Sequence, residues 1–428
     1  MTPIPGSALF PNDISSNSTS HLKRAQPVLS QDTFVTTEDS ECADIVGFGV
    51  EGVSIGRYKG GKMHIVNHVL KSFGQEAGGW SIQNHVRLLA STTSPWRKDI
   101  VGFGSSGVWV APNLGNNVFG PPKQVLEGFY GSVPCAGGWS NSSHIRLMAD
   151  VRKTGYADIV GFAHAGVYIS DNVNQGEYKQ PRCAVYDFGN EQGWRVDRHL
   201  RFLADVTGDG FPDIVGFGDN DVIVGVNNKD GTFQPGRTVL DDFCHFSGDW
   251  WNDEHPRFLA DLTGNGRVDI IGFKNNQVFT SLNQGSCKFG PVVSHDLGLP
   301  SWTSDEHVFV VTALARGEPA DIVLFGEEGV YIAKNMGNGT FKPATLVLRS
   351  FGERQGWDKT KHPRFVADLT RNGYADIIGF GGAQVFAALN QGDGTFGKAI
   401  ALCKEFAYLE GWQPETTVRY VANLYRYN

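Results

Sequence analysis

The apolar positions of this chain fall in short runs rather than at helical spacing. Segments such as Asp-Ile-Val-Gly-Phe from Asp158 and Gly-Val-Tyr-Ile-Ser from Gly166 are separated by clusters of Gly, Asn and Asp. That spacing predicts strands joined by tight turns. The pattern also recurs. Asp-Ile-[Val/Ile]-x-Phe begins at Asp44, Asp99, Asp158, Asp213, Asp269, Asp321 and Asp376, at successive intervals of 55, 59, 55, 56, 52 and 55 residues. Between Asp158 and Asp205, four strands are predicted: Asp-Ile-Val-Gly-Phe, Gly166 to Ser170, Cys183 to Phe188, and His199 to Asp205. Asn227 to Phe233 reads as a hairpin turn that demands positive φ. Four short antiparallel strands in roughly 55 residues is the size of one propeller blade.

The two ends provide a separate indication. No His-x-Arg strand precedes Asp44, whereas Val418 to Leu424 resembles one and has no Asp-Ile-Val-Gly-Phe after it. Pairing the two resolves both anomalies and removes exposed sheet edges. The expected fold is therefore all-β, a seven-bladed β-propeller of four-stranded blades whose ring is closed by the C-terminal strand. Residues 41–428 form the propeller, and residues 1–40, rich in Ser, Thr, Asn and Pro, form an N-terminal tail that could be partly ordered against it.

Composition agrees with repetition. A 428-residue chain exceeds one ordinary core, and 54 glycines with only 19% charged residues suit strands and turns. A net charge of -8 and scattered Lys and Arg argue against nucleic acid as a partner. No apolar run approaches the ~20 residues of a membrane span, so no membrane insertion is expected. The start, Met1 to Ser7, lacks a basic region and an apolar stretch, so the expected location is cytoplasmic, or outside after release without a classical signal peptide. Cys42, Cys135, Cys183, Cys244, Cys287 and Cys403 lie far apart and form no zinc pattern, which suits free thiols better than disulfides.

A second set runs in register with the repeat, Trp-x4-His-x-Arg. It is complete at Trp80/His85/Arg87, Trp139/His144/Arg146, Trp194/His199/Arg201, Trp250/His255/Arg257 and Trp357/His362/Arg364. Phe309 replaces Arg after Trp302 and His307, and Thr417 replaces His between Trp412 and Arg419. These residues could be structural, filling the space between blades. They also suit a sugar: an indole offers an apolar face to a pyranose, and Arg and His supply directed hydrogen bonds. The scaffold signature survives in seven units while this set decays in two, which separates it from pure packing.

A third set lies in the loop before each Asp-Ile-Val-Gly-Phe. Asp205, Thr207, Asp209 and Asp213 stand at alternating positions of a Gly-containing loop, a pattern that suits the hard oxygen ligands of calcium. Asp261, Asn265 and Asp269, and Asp368, Asn372 and Asp376, are weaker versions. Structural calcium is expected in one to three blades, with a plain Asp/Gly turn as the alternative.

The run Gly193 to Gly218, with its echoes across residues 43–424, resembles the N-acetylglucosamine-binding mushroom lectins of the Psathyrella velutina lectin type. Its loop portion is similar to the FG-GAP repeats of integrin α-chains. The resemblance implies a non-catalytic lectin with sites between blades for terminal N-acetylglucosamine, and possibly sialic acid, on glycans and glycoproteins. The five complete Trp/His/Arg sets match such sites, and the resemblance extends to agglutination and fungal defence by a monomer or small homo-oligomer. Two rivals remain. An integrin-like calcium-dependent protein-binding propeller would specialise one face; a glycan-processing enzyme would carry one distinctive acidic pair.

Overall fold

The computed structural model describes residues 43–425 apart from 128, 130–138, 300–301 and 304–306. The expected tail, Cys42 and Cys135 lie outside the described residues. Seven four-stranded antiparallel sheets form seven blades. Blade 1 runs outward as Val418–Ala422, Asp44–Phe48, Val53–Lys59 and Lys62–Leu70. Blade 4, representative of the others, runs Leu200–Ala204, Asp213–Phe217, Val222–Gly225 and Arg237–Leu240. Blades 2, 3, 5, 6 and 7 follow the same script with second strands at Asp99–Gly104, Asp158–Phe162, Asp269–Lys274, Asp321–Phe325 and Asp376–Phe380. Ring closure is as expected: Asp44 pairs with Ala422 and Phe48 with Val418, antiparallel.

The repeated Asp-Ile-Val-Gly-Phe strand is buried along its whole length in every blade. It lies inside a sheet whose two faces both pack on neighbouring blades, so it reads as a continuous apolar run instead of an alternation. Its leading aspartate is a lynchpin. Asn113, Asn172, Asn227, Asn283, Asn335 and Asn390 each donate a backbone N–H to the aspartate fourteen residues earlier, at 2.7–2.9 Å. The same asparagines extend their side-chain amides to the preceding blade: Asn172 to the Thr92 carbonyl, Asn227 to Val151 and Asn283 to Val206, at 2.8–2.9 Å. One Asp–Asn pair thus satisfies a buried turn and ties adjacent blades together.

Three details differ from the sequence reading. The His-x-Arg strand pairs with the following Asp-Ile-Val-Gly-Phe, so it is the innermost strand of the next blade. The strand expected over Cys183 to Phe188 spans Arg182–Val185, because Phe188 turns into the left-handed region at φ 60°. Small hairpins, Asn113–Gly115 with Val118–Phe119 and Asn172–Asn174 with Glu177–Tyr178, extend blades 2 and 3. Cys183, Cys244, Cys287 and Cys403 are free thiols. Among the described residues no helix is long and apolar enough to cross a membrane.

Candidate functional site

One face of the ring is made by crossovers that leave the outer strand of one blade and enter the innermost strand of the next. Six open on a phenylalanine at positive φ: Phe73, Phe129, Phe188, Phe243, Phe351 and Phe406, between 59° and 69°. A non-glycine residue there costs about 1–3 kcal/mol and persists only where its surroundings fix it. The register arginine does this in five blades. Nη1 of Arg87, Arg201, Arg257, Arg364 and Arg419 donates to the carbonyl of Phe73, Phe188, Phe243, Phe351 and Phe406 respectively, at 2.8–3.2 Å.

The register tryptophan then lies over the glycine of the next Asp-Ile-Val-Gly-Phe. A Cβ placed on Gly47, Gly102, Gly161, Gly216, Gly272 or Gly379 would stand only 2.2–2.6 Å from the indole of Trp412, Trp80, Trp139, Trp194, Trp250 or Trp357. The phenylalanine tilts against the same indole, as in Phe129 with Trp139 at 4.7 Å and Phe188 with Trp194 at 5.3 Å. The histidine ring meets it edge-on, at 5.2 Å for Trp80 with His85 and 5.4 Å for Trp194 with His199. All seven register tryptophans are buried, none more than 9% exposed. The structure therefore brings each Trp/His/Arg set together, but places the indole and guanidinium inside the crossover. The indole is a wedge between blades, and its faces meet glycine, phenylalanine and histidine.

The histidines complete the crossover and are themselves largely buried, His199 to 2% and His144 to 6% exposure. Nδ1 of His85, His144, His199, His255 and His362 accepts the backbone N–H of Ser81, Ser140, Arg195, Trp251 and Asp358, at 2.9–3.1 Å. In the neutral ring this puts the proton on Nε2. Burial lowers the pKa of His144 and His199 to about 4, so both are neutral donors at neutral pH. His85 Nε2 meets Ser105 Oγ at 2.7 Å and His199 Nε2 meets Asp219 Oδ1 at 3.0 Å, while His144 Nε2 is buried and has no hydrogen-bond partner among the described residues. Nε and Nη2 of Arg87 and Arg201 are likewise buried without a protein acceptor. In blades 3 and 5, Asn141 and Asn252 take the Nη2 of Arg146 and Arg257. The site is rich in donors and suits a neutral ligand bearing carbonyl and hydroxyl oxygens.

Blade 6 departs as a unit. Its strand reads Asp-Ile-Val-Leu-Phe, with buried Leu324 in the glycine position, and Phe309 replaces the arginine. Buried Leu297 and Gly298, at φ 69°, stand where the other crossovers carry the left-handed phenylalanine. Phe309 stacks on Phe273 at 4.2 Å and meets Trp302 at 5.0 Å. With no strained carbonyl to hold, the arginine has no task, and an aromatic cluster fills its place. In blade 1, Thr417 Oγ1 donates to the Gln413 carbonyl at 2.8 Å, so the imidazole donor is missing although Arg419 keeps its bond.

The loops considered for calcium lie on the opposite face. Asp213 accepts backbone N–H groups from Val206, Thr207 and Asn227, which accounts for its presence in every blade. Asp205 accepts from Gly208 and Gly210 at 2.6 Å, and Asp209 from Phe211 at 2.9 Å. Asp261 and Asp368 make the corresponding bonds to Gly266 and Gly373. In blades 1, 3 and 6 a basic side chain pairs with the buried aspartate, Arg57 on Asp44, Arg152 on Asp158 and Lys334 on Asp321, while in blade 2 Asp99 accepts from Thr92 and Thr93. Asp213, Asp269 and Asp376 neighbour a second carboxylate, and burial pushes their pKa up to about 6, 7 and 7, as it does that of Asp158 to about 6; in the first of these loops Lys229 Nζ pairs with Asp209 at 3.1 Å. These three loops bring two acidic or amide side chains close together, but Asp205 is already turned onto backbone N–H groups and Asp209 onto Lys229. Among the described residues no three His, Cys, Asp or Glu side chains group to hold a metal. A cation would therefore draw on Thr207 and carbonyl oxygens beside the carboxylates, a donor mixture that calcium accepts.

Comparison with known proteins adds three findings. The FG-GAP-like repeat family matches residues 205–272. No curated protein sequence matches the chain. Among solved structures, an Agrocybe aegerita lectin described for its specific recognition of non-reducing terminal N-acetylglucosamine superposes with a TM-score of 0.86 at 45% identity, covering 92% of this chain and 98% of its own. A Photorhabdus luminescens Tc holotoxin pore (TM-score 0.47, 14% identity, 81% of this chain and 16% of that one) and a periplasmic gluconolactonase of Pseudomonas aeruginosa (0.40, 9%, 89% and 99%) are too distant to bear on function.

Proposed function

Because this chain belongs to the mushroom lectin family of the Agrocybe aegerita protein, the Psathyrella velutina lectin type, we propose that it is a non-catalytic lectin that binds non-reducing terminal N-acetylglucosamine in the crossovers between its blades. The observation that carries this reading, beside the family, is the fivefold recurrence of one set on one face: an imidazole whose Nδ1 accepts a backbone N–H, next to a buried guanidinium. An acetamido carbonyl and ring hydroxyls are the acceptors such a set needs. Sialic acid shares the acetamido group and is the second ligand to examine. Repetition of the same small site favours a small repeated ligand over a single protein partner, which would select unlike loops.

The five sites are those of His85, His144, His199, His255 and His362, and the Trp and Arg of each set hold the crossover in shape. A shallow pocket that desolvates few atoms binds weakly. Five on one rigid ring gain by effective concentration on a surface dense in terminal N-acetylglucosamine, and they permit cross-linking, agglutination and a defensive role. Calcium in the loops of Asp205, Asp261 and Asp368 has a structural part only, held by Asp205, Thr207 and Asp209 and their counterparts, and takes no part in sugar contact because it lies on the opposite face. The test is agglutination of cells bearing N-acetylglucosamine-terminated glycans. Free N-acetylglucosamine should inhibit it and galactose should not; equal inhibition by both, or no agglutination, would count against the proposal.

A further inference from the structure

The crossover from blade 4 to blade 5 carries side chains that neither the scaffold nor the repeated donor set explains. Directly after the register tryptophan the other crossovers have Ser81, Ser140, Arg195, Thr303, Asp358 and Gln413; here the residue is Trp251. At the tip of the crossover, where blades 3, 6 and 7 send out Glu191, Arg354 and Leu409, this loop has Phe246. Both aromatic side chains stand in solvent, Phe246 63% and Trp251 46% exposed. They are not scattered. His245 lies edge-on between them, 4.7 Å from Phe246 and 4.4 Å from Trp251. Trp251 Nε1 donates to Asp249 Oδ1 at 2.9 Å, which fixes the plane of the indole.

The cluster is also anchored beside one pocket. Phe246 N–H donates to the Asp219 carbonyl at 2.7 Å and His245 N–H to the Gly218 carbonyl at 3.2 Å. The Asp219 carboxylate is the acceptor for His199 Nε2 at 3.0 Å and for Arg198 Nη2 at 3.2 Å. Arg198 in turn lies 5.8 Å from the Phe246 ring centre. Blade 4's donor set and this aromatic group therefore share one turn, residues 218–221. Two exposed aromatic rings oriented about a half-buried histidine are an unfavourable surface unless something covers them. Its chemistry is what a pyranose ring presses its C–H face against, and in this it differs from the buried register indoles.

We propose that Phe246, His245 and Trp251 form a stacking shelf for the second sugar ring of a glycan whose terminal N-acetylglucosamine occupies the blade 4 pocket. The proposal rests on the lectin reading above. It makes blade 4 a site that reads beyond the terminal residue, through a trio of rings that the other described crossovers do not repeat.

The test is calorimetry of the full chain with N-acetylglucosamine and with its β1-4-linked disaccharide, on the parent protein, Trp251→Ala, Phe246→Ala and Trp251→Phe. In the parent, one site per chain should bind the disaccharide roughly fivefold to tenfold more tightly than the monosaccharide, the gain expected of one stacked ring. Both alanine variants should lose that gain, Trp251→Phe should keep most of it, and Phe246→Ala should leave monosaccharide binding and the melting midpoint unchanged. The shelf is overturned if the parent shows no site with this gain, or if the gain survives both alanine substitutions. Absence of monosaccharide binding by the parent would be a failure of the lectin reading itself, and the monosaccharide titration alone reveals it.

Discussion

Replacing Gly216 by alanine tests the claim that the glycine and the register tryptophan are one packing unit. The added Cβ would stand 2.2 Å from the Trp194 ring, against about 3.5–4.0 Å for an ordinary carbon contact. Gly216 lies mid-strand in Asp213–Phe217, paired with Arg201 on one side and Ile223 on the other, so the backbone cannot retreat without disturbing two ladders. The indole must move by more than about 1 Å, yet Phe188 at 5.3 Å and His199 at 5.4 Å enclose it. Overpacking of this kind costs about 1–3 kcal/mol, and the confined position favours the upper end. Equilibrium denaturation of Gly216→Ala, Trp194→Leu and the double variant closes a mutant cycle. The expected result is a loss of about 2–3 kcal/mol for Gly216→Ala alone and under about 1 kcal/mol in the Trp194→Leu background, where the space has been vacated. An equal cost in both backgrounds would refute the reasoning, as would no cost in the parent.

Three further outcomes follow from the same geometry. Arg201→Met should destabilise by about 1–3 kcal/mol, since the Phe188 carbonyl loses its donor in a buried turn, and should abolish one sugar site; a fully stable variant with every site intact would contradict this. His144 has its pKa lowered from 6.5 to about 4 by burial, so it favours the fold when neutral, and that stability is lost as pH falls from 6.5 towards 4. The linked loss is about 3 kcal/mol, and His144→Asn, which keeps an acceptor for the Ser140 N–H, should flatten the acid limb of a stability–pH curve; an unchanged limb would count against it. Removing calcium with a chelator should lower the melting temperature of the parent and do so less in Asp205→Asn; a parent melting curve indifferent to the chelator would identify the loops as plain Asp/Gly turns.

The ring was readable from the chain because a propeller repeats its strongest local signals. Asp-Ile-Val-Gly-Phe is buried on both faces in each blade, so it stands out as an unbroken apolar run, and the unpaired terminal strands announce the closure. The role of the register residues was harder to read. Composition says that Trp, His and Arg suit a sugar, but whether an indole faces solvent depends on its rotamer and on the strand behind it. The informative signal was the fourth position of the repeat, glycine in six units and Leu324 in the seventh, changing together with Phe309. Read as a pair with the tryptophan, that glycine marks a close approach of ring to backbone. The left-handed phenylalanines left no trace beyond their recurrence before six of the seven register tryptophans, because nothing in their side chains asks for positive φ. Asn227 and its counterparts were visible as turn residues, while their bonds to the preceding blade, 76 residues away for Asn227 with Val151, depend on the closed ring.

The central claim is that one ring presents five equivalent sites for a terminal sugar. Calorimetric titration of the full chain with N-acetylglucosamine measures that number directly. The account predicts about five sites per chain, falling by one when His144 is replaced by alanine. A stoichiometry of zero would contradict the lectin reading, and a stoichiometry of one would contradict the repeated donor set on which it stands.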